Sequence, residues 1–109
     1  MGERELGRSD HLLLLALMRL GDSAYGMTIR RELAERTGRE IAVGAIYTAL
    51  ARLEARGYVR SHLGDPTPER GGRAKRFYRV QPAGAKAVAR AEAAFIALGR
   101  VLGRDTGPS

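Results

Sequence analysis

No cysteine occurs among the 109 residues, which excludes disulfides, thiolate chemistry and cysteine-held metal. The two histidines, His11 and His62, do not form a ligand pair by spacing, and each reads as a surface residue. Long apolar sequence is missing as well: the run from Leu12 to Leu17 is far shorter than the ~20 residues that a membrane span requires. The N-terminus lacks the basic, apolar, small-residue order of a secretory leader. A soluble, cytoplasmic protein is therefore expected. Catalytic signatures are absent too. There is no nucleophile with a base at a recognisable spacing, no convincing carboxylate pair and no GxxxxGK phosphate loop, and the GGR at 71–73 is too short to replace one. Neither an enzyme nor a cofactor is expected.

What remains is a basic chain sized for one domain with a single modest core. Nineteen Lys and Arg stand against twelve Asp and Glu, for a net charge of +7. Such a balance favours a polyanionic partner where the charge is clustered. Here it partly is: Arg60, Arg70, Arg73, Lys75, Arg76 and Arg79 face only Asp65 and Glu69 in the same stretch.

The pattern along the chain organises itself around VGAIYTALARLEARG, residues 43–57. Ile46, Leu50 and Leu53, at i, i+4 and i+7 with Ala49 beside them, give a helix one apolar stripe for the core. Gly44, Thr48, Ala51 and Ala55 fall about half a turn away, flanked by Tyr47 and Arg52. That outer face is small, smooth and edged by hydrogen-bonding groups. Residues 43–56 would span roughly 21 Å as a helix, and the DNA major groove, about 12 Å wide, admits one. Thr48 is the best placed for a base edge, with Tyr47 and Arg52 for phosphates or bases. The plainer alternative is an ordinary solvated helix face.

Around this element the rest falls into order. Residues 1 to 8 read as a loose arm, and Ser9 as the N-cap of a helix through HLLLLALMRL, with Asp10 at its positive end. Leucines cover nearly its whole circumference, more than one small domain easily buries, so Leu13 and Leu17 are candidates for a subunit interface as well as for the core. Gly21 stops this helix. Ser23 is expected to cap a second helix, from about Ala24 to Thr37, with Tyr25, Ile29 and Leu33 inward, Arg31–Glu35 and Glu32–Arg36 paired outside, and Gly38 as the stop. Helix two, turn and helix three then read as a helix-turn-helix. After Gly57 the period changes: residues 58–63 and RFYRV, 76–80, read as two strands. The twelve residues between them exceed the 2 to 5 of an ordinary hairpin loop. Gly71 and Gly72 let the backbone there turn tightly or approach a phosphate, and Arg70, Arg73, Lys75 and Arg76 surround them. A basic hairpin tip after a helix-turn-helix can grip phosphates or enter the minor groove; a solvated loop is the alternative. Pro82 suits the first turn of a last helix, in which Val88, Ala91, Phe95, Leu98 and Leu102 form a heptad seam. That helix would pack on helix one, in the same subunit or a neighbour. The tail, 104–109, reads as disordered.

This order of elements resembles the PadR family of bacterial transcriptional regulators. The resemblance rests on LLLLALMRLGDSAYGMTIRREL, GAIYTALARLEARGYV, PTPERGGRAKRFYRV and PAGAKAV, the second being the most specific. It implies a mainly α fold with a two-stranded β wing: a winged helix-turn-helix over 9–81 and a C-terminal dimerisation helix over 82–103, of the compact branch in which that helix pairs against helix one. It further implies a homodimeric repressor on double-stranded DNA, read by the helix holding Tyr47 and the wing holding Arg73 and Lys75. Gly44, Tyr47, Thr48, Ala51, Arg52, Arg70, Gly72, Arg73, Lys75 and Arg76 are the expected DNA-binding set, and a pseudo-palindromic operator the expected target. Members of the family sense small hydrophobic or phenolic molecules near the dimer interface; Met18, Tyr25 and Phe95 are the candidates to line such a space here, with core or seam packing as their alternative. Two departures from the family pattern stand out: Ala42 where Ser usually precedes the recognition helix, and Gln81 where a capping Thr is common. Both imply looser helix starts. A winged helix that binds an acidic protein partner is the competing function.

Overall fold

The computed structural model describes residues 6–64 and 74–99. The elements run α1 (Arg8–Leu20), a 3-10 turn (Gly21–Ser23), α2 (Gly26–Thr37), α3 (Val43–Ala55), β1 (Val59–Leu63), β2 (Arg76–Val80) and α4 (Pro82–Ala97). One core joins them. Leu13, Leu14 and Leu17 of α1, Ile29 and Leu33 of α2, Ile46, Leu50 and Leu53 of α3, Tyr58, Val59 and Tyr78 of the hairpin, and Ala87 and Val88 of α4 are all buried in it.

The helix stops follow the glycines. Gly21, Gly38 and Gly57 all take positive φ, where a side chain would be strained. At the end of α3 the Tyr58 amide donates to Leu53 O and the Gly57 amide to Glu54 O. This paired 6→1 and 5→2 bonding closes the helix and turns the chain directly into β1.

Helix starts depart from expectation. α1 begins at Arg8 with Gly7 as its cap, ahead of Ser9, and Leu6 packs against the core instead of belonging to a loose arm. Ser23 does not cap α2. Its hydroxyl donates back to Leu20 O at 2.8 Å, and the helix starts at Gly26, where the Thr28 hydroxyl accepts from the Tyr25 amide at 2.9 Å. Ala24 and Tyr25 are extended because the hairpin claims them: Tyr25 bridges Phe77, and the Tyr78 amide donates to Ala24 O at 2.9 Å. Glu32–Arg36 forms as expected, and Glu32 also holds Arg19 of α1 at 2.6 Å.

β1 and β2 are antiparallel, with Val59 opposite Val80 and Leu63 opposite Arg76. Alternation turns Tyr78 into the core and Phe77 to the other side, where His62 stacks on it and Tyr25 meets it edge-on. α4 is rooted at the base of this hairpin. Gly84 lies so close to β1 that a Cβ there would stand 2.5 Å from Tyr58 O. Helix-turn-helix followed by a β hairpin and a terminal helix is the winged helix architecture, as the sequence implied. Among the described residues no helix is long and apolar enough to cross a membrane.

Candidate nucleic-acid interface

α3 has two distinct sides. Ile46, Leu50 and Leu53 are 2 %, 0 % and 0 % exposed, so the stripe read from their spacing is the face that anchors the helix. Gly44, Thr48, Ala51 and Ala55 are all exposed on the other. Around a Cβ built on Gly44 there is no described atom within 4 Å, so the first turn is open at that position among the described residues. Ala42 caps the helix with its backbone alone, its carbonyl accepting from the Ala45 and Ile46 amides. The side-chain cap is missing, as its alanine implied. Gln81 likewise makes no side-chain cap on α4.

Tyr47 is partly exposed, but its ring is placed by α2. The phenol lies over Gly26, where a Cβ would meet the Tyr47 hydroxyl and stand 2.8 Å from Cζ. The absence of a side chain at Gly26 therefore gives Tyr47 its position at the edge of the exposed face. The Tyr78 phenol is pushed above its ordinary value of 10.0, first by burial and then by the neighbouring Tyr47. It is a neutral hydroxyl in the folded protein.

Arg52 is not a free cation on this face. Its Nη2 donates to Asp10 Oδ1 at 2.6 Å, and the Asp10 side chain is only 10 % exposed against 49 % for Arg52. The guanidinium is thus drawn toward the first turn of α1, while about half of the side chain stays exposed beside the outer face. The sequence carried no sign of this pairing, because the partners are 42 positions apart.

The wing base is basic. Lys75 is exposed and its Nζ lies 5.1 Å from the centre of the Tyr25 ring. Arg76 is exposed but shares itself with the fold: Nη1 donates to Ser61 Oγ at 3.0 Å, and that hydroxyl donates to Glu54 Oε2 on α3, also at 3.0 Å. This relay joins β2, β1 and α3, so the wing is braced against the helix beside it. Arg79 pairs with Asp22. Arg70, Gly72 and Arg73, expected at the wing tip, lie outside the described residues, as do Leu102 and the tail from 104.

The residues expected at a subunit interface divide between core and surface. Leu13 and Leu17 are 3 % and 2 % exposed within the single chain, which leaves them no surface to give a partner. Val88 is also core, and Ala91 is half-buried. The apolar surface lies farther along α4, where Phe95, Ile96 and Leu98 are exposed. His11, expected at the surface, has a side chain only 12 % exposed; it bonds Glu92 at 2.9 Å and stacks on Phe95. Between the start of α1 and the end of α4 runs a groove of about 490 Å³, lined by Leu6, His11, Leu12, Leu15, Phe95 and Leu98 among others. Phe95 belongs to it, whereas Met18 and Tyr25 do not, so the three residues expected around a ligand are not gathered in one space. Among the described residues no cluster of three or more His, Asp or Glu could hold a metal ion.

Comparison with known proteins agrees with this architecture. The family model described as the transcriptional regulator PadR-like family matches residues 14–90. A PadR family transcription regulator from Clostridium difficile is 25 % identical, with a TM-score of 0.73 over 93 % of this chain and 100 % of its own. A transcriptional regulator from Clostridium thermocellum is 28 % identical, with a TM-score of 0.69 over 87 % and 86 % of the two chains. A PadR family transcriptional regulator from Eggerthella lenta is 25 % identical, with a TM-score of 0.69 over 94 % and 87 %. No curated protein matches the sequence.

Proposed function

Because this chain belongs to the PadR-like family of transcriptional regulators, we propose that it is a homodimeric repressor reading a pseudo-palindromic operator through residues 43–56 and the basic wing, 64–76. The observation that carries the reading is the division of α3: a stripe sealed into the core on one side and an unobstructed face of small residues on the other. A helix so divided can enter a groove without losing its anchorage. Gly44, Thr48 and Ala51 would face base edges and Tyr47 the rim of the groove. Arg70, Arg73, Lys75 and Arg76 would neutralise phosphates and release counterions, giving affinity independent of sequence.

One such helix reads too little sequence to select an operator. Two copies, 34 to 36 Å apart, fit successive major grooves. Exposed Phe95, Ile96 and Leu98 on α4 support pairing of subunits there, since apolar surface of this kind is stabilised by being covered. The groove beside them has the size of a small-molecule site. A hydrophobic effector bound in it would act by favouring a spacing of the two reading helices that no longer fits the operator.

Selecting bound fragments from random DNA tests the proposal. An enriched two-fold repeat with half-sites one helical turn apart is expected. Arg73→Ala should then lower the slope of log affinity against log salt by about one unit. Equal binding to palindromic and scrambled duplexes would instead identify a protein-interaction module, for which the basic hairpin would meet an acidic partner. A chain that stays monomeric at micromolar concentration, with and without duplex, would end the proposal.

A further inference from the structure

The first turn of α1 sits between the helix proposed to read DNA and the helix that follows the wing. Asp10 reaches α3 through Arg52 at 2.6 Å, and the next residue, His11, reaches α4 through Glu92 at 2.9 Å. Asp10 is the one charged residue buried among those described, at 8 % exposure. A buried carboxylate requires a partner that satisfies it, and no buried side-chain N or O atom among the described residues lacks one. Arg52 supplies that partner from the tenth position of α3, at the flank of the face formed by Gly44, Thr48, Ala51 and Ala55. Besides its buried stripe, α3 is tied to the hairpin by Glu54, which accepts from Ser61 Oγ at 3.0 Å, and its interdigitated core face already limits how far it can roll. The charge-assisted hydrogen bond from Arg52 to Asp10 adds a short, directional restraint on that roll from the side of α1.

We propose that Asp10 is a positioning residue for DNA recognition: it holds Arg52, restrains the roll of α3 about its axis and so aims Tyr47, Thr48 and Ala51, while Arg52 contributes no phosphate contact. The inference rests on the proposed reading of DNA by α3. It assigns to the pair a contribution to discrimination between sequences and none to sequence-independent affinity. Arg52 would otherwise be counted with the cations of the wing, and the two roles leave different signatures.

The test uses the full chain, a duplex selected by the wild type from random DNA, and a scrambled duplex of equal length and composition. Asp10→Asn keeps the shape of the side chain and removes its charge; Arg52→Gln removes the donor. Each variant should lower the ratio of selected to scrambled affinity by roughly five- to tenfold, and the double variant should lose little more than either single one, as coupled neighbours do. The salt slope of Arg52→Gln should match the wild type. Urea unfolding establishes that each variant is folded under the binding conditions, and Arg52→Lys, which keeps the charge but not the planar set of guanidinium donors, should recover only part of the ratio. A slope lowered by about one unit in Arg52→Gln would place the guanidinium on a phosphate and overturn the proposal. So would ratios unchanged in both single variants. Failure of the wild type to enrich any sequence would instead remove the reading on which the inference rests, and the inference with it.

Discussion

Truncating Leu50 to alanine separates the two sides of α3. Leu50 is 0 % exposed and lies in the middle of the buried stripe. Removing three carbon atoms at about 0.8 kcal/mol each costs roughly 2.4 kcal/mol in transfer free energy. The cavity left behind raises the cost within the range of about 2 to 5 kcal/mol. A wild type stable by about 7 kcal/mol or more, within the ordinary range of about 5 to 15 kcal/mol, keeps a folded majority even at the largest of these losses. With about 2 kcal/mol left, roughly 3 % of the chain is unfolded, and apparent affinity for DNA falls by no more than that fraction. Thr48→Ala is the converse. It changes an exposed position, so stability should stay within about 0.5 kcal/mol, whereas loss of a base-edge contact should reduce discrimination at one base pair by roughly 1 to 3 kcal/mol. Urea unfolding at one fixed protein concentration measures the first effect, because the stability of a dimer depends on concentration. Binding to selected and singly altered duplexes measures the second. The reasoning is refuted if Leu50→Ala costs less than about 1 kcal/mol, or if Thr48→Ala costs more stability than Leu50→Ala.

Three further outcomes are expected. Gly84→Ala should destabilise the protein by about 1 to 3 kcal/mol in urea unfolding, since the new Cβ meets the backbone carbonyl of Tyr58, which cannot swing aside; a neutral result would mean that α4 is not rooted on β1. Ala42→Ser should raise stability by about 1 kcal/mol by supplying the absent cap, and no gain would show that the α3 amides are already satisfied. The Glu32 carboxyl is held below its ordinary value of 4.5 chiefly by the hydrogen bond from Arg19, then by that from Arg36. Its contribution is therefore complete above that ordinary value and lost as pH falls through the lower, folded one. Glu32→Gln should lower the melting temperature at pH 7 and converge with the wild type in acid, and parallel curves down to the acid transition would contradict this.

Local chemistry made much of the fold legible. Spacing of apolar residues located the buried side of α3, and the glycines after α1, α2 and α3 stop those helices because only they take the left-handed turn without strain. The start of α2 was not legible. Ser23 has the side chain of a cap, but the hydrogen bonds that settle the matter come from Phe77 and Tyr78, more than 50 positions away. Helix one shows the same limit. Leucine on every side does not say which side the chain itself will cover, and Leu13 and Leu17 are covered while Phe95 and Leu98 are left bare. Of the candidate site, the small outer face of α3 followed from sequence periodicity. The pairing of Arg52 with Asp10 and the seating of the Tyr47 ring over Gly26 arise only when separate helices are brought together.

The open space around Gly44 bears on how such a protein could acquire new targets. A Cβ added there meets no described neighbour within 4 Å, and the residues that keep the helix in place are on its far side. If α3 reads DNA as proposed, substitution at Gly44, Thr48 or Ala51 should change the sequence preferred while the melting temperature stays nearly constant. In a library randomised at those three positions, most members should fold, and what they choose between should be DNA.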